Sequence, residues 1–132
     1  MPGATVQRLL LVCLGSALGG GARYLVSQGA LKLLGSGFPY GTLIVNVTGC
    51  FLIGLIMHVG LTTSAISPAA RLFLTTGVMG GLTTYSTFNY ETLGFLMDSE
   101  WRAGLANFFA TVLLCCGAGL AGLAAGRAVA GT

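Results

Sequence analysis

Charge is what this sequence has least of. Lys and Arg number six and Asp and Glu three among 132 residues, 7% of the chain, against about 25% in an average soluble domain. So few charges cannot coat a water-soluble globule. That excludes an ordinary soluble enzyme, a disordered chain held open by charge, and a nucleic-acid binder driven by a basic surface. Histidine is nearly absent too. His58 stands alone, without H-x-x-x-H or E-x-x-H spacing, so a metal centre built from side chains is not expected. Asp98 is the only aspartate and falls in a predicted loop. No Ser-His-Asp set can be assembled from it, and no enzyme is expected. Gly19-Gly20-Gly21 follows no strand, so it is not a phosphate loop. No segment alternates with period two, which argues against a barrel. Cys13, Cys50, Cys115 and Cys116 stand in apolar stretches, without C-x-x-C spacing or a polar loop setting, and read as packing.

What remains is apolar. Hydrophobic residues make up 55% of the chain and the mean hydropathy is +0.89, so the natural solvent is a lipid bilayer. The few charges punctuate the chain. Crossing a core of about 30 Å takes about 20 helical residues. On that rule the uncharged runs predict four transmembrane helices, at 6–27, 41–61, 69–97 and 102–127, in a single all-α membrane domain over 1–132. Gly35 to Gly41, Ser64 to Pro68 and Asp98-Ser99-Glu100 supply the turns, and Trp101 sits like an interface anchor. Gly20-Gly21-Ala22-Arg23 is a poor cleavage site, so removal of the first segment as a signal peptide is not expected. Every function is expected to lie within the membrane.

Alternating helices put Arg8, Arg71 and Arg127 on one side and Arg23, Lys32 and Arg102 on the other. Orientation follows the Lys/Arg difference between sides, and here that difference vanishes. Insertion both ways up is therefore expected. Four short helices enclose little space, so a solute path is easier to build between two copies. Two opposed copies would form an antiparallel homodimer with its axis in the membrane plane. Gly15-x-x-x-Gly19, Gly77-x-x-x-Gly81 and Gly122-x-x-x-Gly126 are ridges on which backbones can approach closely.

Polar side chains inside a membrane need partners or water, so they are the candidate sites. The third span runs from Thr75 through Gly80-Gly81 to five consecutive hydroxyl residues, Thr83 to Thr87. Paired glycine and back-bonding hydroxyls predict a helix broken around Gly80–Thr84, whose freed carbonyls need a cation, water or another helix. Tyr85 and Phe88 share a helix face. They are either core packing or a pair of ring edges able to touch an anion, with Ser86 and Thr87 as hydroxyl donors. Asn46, on one face with Thr42, is either glue between helices or a donor on an anion path. Asn107, Thr111 and Cys115 form a thin polar stripe on the fourth span, read first as helix packing. Arg23, near the end of the first span, snorkels, pairs with Glu91 or attracts anions at a mouth. Glu91 closes the uncharged run of the third span, which places it near an interface.

The run Gly80-Gly81-Leu82-Thr83-Thr84-Tyr85-Ser86-Thr87-Phe88, with Glu91 just after it, resembles the signature of the small fluoride channels, the Fluc or CrcB family. Gly41-Thr42-Leu43-Ile44-Val45-Asn46 resembles that family's second-helix motif. The likeness covers nearly the whole chain. It implies an antiparallel, dual-topology homodimer in the inner (plasma) membrane, conducting fluoride passively out of the cell through two pores. It also implies a structural sodium ion at the dimer centre, held by the backbone carbonyls of Gly80 and Thr83 from both copies. Carried over by position, the pore set is Asn46, Tyr85, Ser86, Thr87 and Phe88, with Arg23 and Glu91 near the pore ends. Two positions depart from the family. Tyr85 stands where Phe is usual, and Cys115 where Ser is common. The competing reading is a proton-coupled exporter of the small multidrug type, which shares the size and the four spans but needs a carboxylate deep in one of them.

Overall fold

Nothing between Arg8 and Leu34 is strong enough to stop a helix, and none stops. The structure, a computed structural model, describes residues 2–131. Its first helix, α1 (Pro2–Leu34), runs for 33 residues, well past the 6–27 expected. The run Gly19-Gly20-Gly21 weakens local propensity without breaking the helix. Termination waits for Gly35, whose φ of 80° only glycine adopts freely. Pro39, which has no N–H to leave unsatisfied, precedes α2 (Tyr40–Thr62). Ser67 caps the third rod by accepting from the Ala70 amide at 3.2 Å, with Pro68 at the first helical position.

That third rod is a composite. It comprises α3 (Pro68–Leu72), a π-helical segment (Phe73–Met79), α4 (Gly80–Leu82) and, after two extended residues, α5 (Tyr85–Met97). The last helix is α6 (Trp101–Ala130). Among the described residues there is no strand. Three helices, α1, α2 and α6, are long and apolar enough to cross a membrane. The third rod fails that test because its longest regular piece, α5, has 13 residues, against about 20 for a span. The expectation of four helical rods with the third broken therefore holds. The π-helical segment was not foreseen. Pairs five apart carry no hydrophobic signature; at the end of the segment the wider turn shows in the Gly80 amide, shared between the Gly77 and Thr75 carbonyls.

Packing is by backbone contact along glycine seams. The α1 helix lies on the π-helical segment and α4, while α2 lies on α6. A Cβ on Gly15 would stand 2.6 Å from the Phe73 carbonyl oxygen, and one on Gly19 would meet the Val78 carbonyl. Across the other seam a Cβ on Gly122 would meet the Phe51 carbonyl. The ridges read in the sequence thus bind helices within one chain. Outward from these seams the surface is apolar. Leu9, Leu14, Leu18 and Leu25 of α1 are each more than half exposed. Such a surface would aggregate in water and is solvated by lipid tails. At one end Arg8 and Arg71 border a common cleft, and the Arg71 guanidinium donates to the Gly60 carbonyl. These two cations lie on the same side, as the charge pattern required.

Gly19→Leu is expected to cost about 3 kcal/mol, the upper end for overpacking, because the obstacle is backbone that cannot rotate away. Thermal unfolding in detergent checks this. An unchanged midpoint would contradict the close seam.

Candidate functional site

The break in the third rod lies at Thr83 and Thr84, whose ψ angles of 155° and 114° are extended. It falls within the expected stretch, but Gly80 and Gly81 themselves stay helical. Gly81 is used for contact instead, since a Cβ there would meet the Ser16 carbonyl on α1.

Leaving a helix inside a membrane strands backbone groups, and one side chain answers for Thr84. The Thr84 amide donates to Asn46 Oδ1 at 2.8 Å, and Asn46 Nδ2 donates back to the Thr84 carbonyl at 3.0 Å. Asn46 is 7% and Thr84 8% exposed, so neither group could turn to solvent instead. A carboxamide offers donor and acceptor side by side without carrying charge. It also leaves one Nδ2 hydrogen, so the two readings of Asn46, glue and donor, are compatible. Thr84 then caps α5. Its Oγ1 accepts from the Thr87 amide at 3.3 Å, donates to Thr87 Oγ1 at 2.9 Å and lies 3.5 Å from Ser86 Oγ. The sequence marks Thr84 only as the end of the predicted break, although Thr is among the residues favoured at a helix N-cap.

The same exchange frees two carbonyls. In a continuous helix the Thr84 amide would donate to Gly80 and the Thr87 amide to Thr83. Here they go to Asn46 and to Thr84 Oγ1. Gly80 and Thr83 are left without those helical donors. Among the described residues no group of three or more His, Cys, Asp or Glu could hold a metal ion.

The predicted site residues divide between two clefts. One, of about 340 Å³, brings Asn46, Tyr85, Phe88, Thr111 and Cys115 together with Thr83. Its rings are set edge to face, with Tyr85 and Phe88 centroids 5.7 Å apart at 65°. Phe88 is buried against Phe108, while Tyr85 is 77% exposed. The second cleft, of about 410 Å³, takes Thr42, Thr87 and Glu91. There Thr42 Oγ1 donates to Glu91 Oε1 at 2.7 Å, and Glu91 Oε2 has no hydrogen-bond partner. Thr42, Asn46 and Cys50 follow at single turns on one face of α2, each step a rise of about 6 Å. That face therefore connects the two clefts.

Several residues stand apart. Arg23 borders neither cleft and does not pair with Glu91. Ser86 is exposed and touches only Thr84 among hydrogen-bonding groups. Asn107, almost fully buried, donates to Thr92 Oγ1 at 2.9 Å and accepts weakly from Thr111 at 3.5 Å. Thr92 in turn donates to the Phe88 carbonyl at 2.8 Å. This ties α6 to α5 behind the Phe88 ring. Thr92 went unnoticed because a lone threonine in a helix carries no distinguishing pattern.

Comparisons with known proteins converge. The family described as CrcB-like protein, Camphor Resistance (CrcB), matches residues 10–123. A protein of Anaeromyxobacter dehalogenans strain 2CP-1, named fluoride-specific ion channel FluC, is 54% identical over 96% of this chain and 100% of its own length. A namesake in Sorangium cellulosum is 47% identical over 92% of this chain and 96% of its own. Another in Clostridium perfringens strain 13 is 50% identical over 77% and 82%.

Asn46→Leu leaves the Thr84 amide buried without a partner, while the Thr84 carbonyl keeps the first amide bond of α5. It is expected to cost about 1–3 kcal/mol for that orphaned group. The unfolding midpoint of the purified variant measures this, and a loss below about 1 kcal/mol would mean the pair does not hold the break.

Proposed function

We propose that this chain, which belongs to the CrcB-like family, is a fluoride-specific ion channel that carries fluoride passively out of the cell and lowers its cytoplasmic concentration. Among observations on the chain itself, the one that carries the residue-level reading is the cleft uniting Asn46 with the Tyr85–Phe88 pair. Fluoride is small and strongly hydrated, so a pathway must replace its water with donors. The second Nδ2 hydrogen of Asn46 supplies one. The electropositive ring edges of Tyr85 and Phe88 add weaker contacts. No fixed cation lines this cleft to trap the ion, which suits conduction, where binding must be strong enough for entry and weak enough for exit. The cleft with Thr42, Thr87 and Glu91 lies farther along the same face of α2. Arg23, outside both clefts, acts on the approach through its charge.

The working unit in this reading is an antiparallel homodimer in the inner membrane, each copy crossing several times. Three observations support it. The spacing of the Lys and Arg residues along the chain assigns three to each side. Tyr85, Ser86 and Thr87 are exposed in a chain whose remaining surface suits lipid. Gly80 has open space beside it, nothing nearer than the Thr75 carbonyl oxygen at 3.9 Å from an added Cβ. A second copy would cover these polar groups. Gly80 and Thr83 of both copies would hold a structural sodium ion, whose positive charge would engage the carbonyls that the break deprives of helical donors.

The exporter reading has nothing comparable. It needs a carboxylate deep in a span to trade protons, whereas Glu91 is engaged with Thr42 in the cleft beyond Asn46. The relatives above are named as channels.

Fluoride efflux from liposomes, followed with a fluoride electrode, tests the pathway. Asn46→Asp keeps the acceptor for the Thr84 amide but sets a negative charge on the path, and flux is expected to vanish. Phe88→Ile deletes a ring edge and is expected to reduce it. Full flux in either variant would remove that residue from the pathway. Gly80→Leu is expected to leave the chain folded, unlike Gly19→Leu, yet to abolish the dimer in size-exclusion chromatography. An intact dimer would contradict close approach at Gly80.

A further inference from the structure

Cys50 on α2 and Cys115 on α6 border the same cleft as Asn46, and the two thiols face each other closely enough to interact electrostatically. Both are half-buried; Cys116 borders the cleft but is exposed, and Cys13 is exposed on α1. The two sulfurs are carried on helices locked together by backbone contact, since a Cβ on Gly54 would stand 2.7 Å from the Gly119 carbonyl oxygen. Conduction as described makes no use of Cys50.

We propose that Cys50 and Cys115 form a two-thiolate binding site for a soft, linearly coordinating divalent cation, typified by Hg(II), and that filling it closes the anion path. Thiolate is the soft ligand that soft metals select. Each thiol gives up its proton, two sulfur–metal bonds form, the metal keeps its oxidation state, and two protons leave to solvent. The product carries no net charge. That decides the metal, because an apolar cleft penalises charge and a monovalent ion on the same pair would leave an uncompensated anion. A tetrahedral ion such as Zn(II) takes four ligands, and among the described residues no third His, Cys, Asp or Glu joins such a group. Cys50 is one helical turn from Asn46, about 6 Å along the axis. A metal on this pair would therefore stand in the space that fluoride is to cross. The closure rests on the channel reading; the binding does not.

The test uses full-length protein carrying Cys13→Ser and Cys116→Ser, so that only the pair remains. Hg(II) is added while remaining free thiols are counted with a disulfide reagent and near-ultraviolet thiolate–metal absorption is followed. Fluoride efflux from liposomes is measured in parallel. About one metal per chain with both thiols consumed is expected, with efflux falling to the leak of empty vesicles and staying there after a wash with a monothiol. Adding Cys50→Ser or Cys115→Ser is expected to leave one thiol consumed per metal and to make the metal removable by that wash, each variant being compared with its own untreated flux. One thiol consumed per metal in the intact pair would overturn the site. Two thiols per metal with unchanged efflux would overturn the closure. Two thiols per metal in a protein that passes no fluoride even untreated would uphold the site and overturn the channel reading instead.

Discussion

The reciprocal hydrogen bond between Asn46 and Thr84 is the constraint on which the rest of this molecule depends. A chain that interrupts a helix in hydrocarbon must provide for each backbone group it exposes, because water is not there to do so. One carboxamide on α2 takes both the amide and the carbonyl of Thr84. With those groups satisfied, the chain can leave the helix at Thr83 and begin again at Tyr85, turning two aromatic rings and a row of hydroxyls in a new direction. Without that pair, the continuous helix would be the cheaper structure, and Tyr85 and Phe88 would not share a cleft with Asn46.

The remainder of the fold makes that arrangement rigid. The α1 helix grips the first half of the third rod through Gly15, Gly19 and Gly81, and α6 grips α2 through Gly122. Backbone against backbone leaves little freedom to slide, so Asn46 and Thr84 meet in one register. The second half of the rod, α5, is held differently, through Asn107, Thr92 and the stacked rings of Phe88 and Phe108. Phe88 is thereby fixed from behind, while the Tyr85 ring stands free at the surface. In the proposed dimer that freedom disappears, and Tyr85 brings a phenolic hydroxyl to that position.

The sequence disclosed the architecture because membranes impose coarse rules. Charge spacing marked four rods, and Gly-x-x-x-Gly spacing marked seams that the structure uses within one chain. The break was legible from five hydroxyl residues following paired glycine, but its cause was misplaced. Gly81 serves close contact with α1, and it is Thr84 that turns the backbone. No periodicity announces a hydrogen bond between residues 38 apart, so the engagement of Asn46 with Thr84 needed coordinates. The same holds for the π-helical segment, whose wider turn has no hydrophobic signature, and for Thr42, the partner that Glu91 has in place of Arg23. The length of α1 was underread because charge marked the limits of a membrane span, whereas only Gly35 marks the limit of a helix.

Currents across a planar bilayer holding the purified protein, with opposed fluoride and chloride gradients, test the central claim most directly. If donors and ring edges at Asn46, Tyr85 and Phe88 replace the water of fluoride, the current reverses at the fluoride equilibrium potential whatever the chloride gradient. A reversal that follows chloride, or no current at any fluoride gradient, would contradict it.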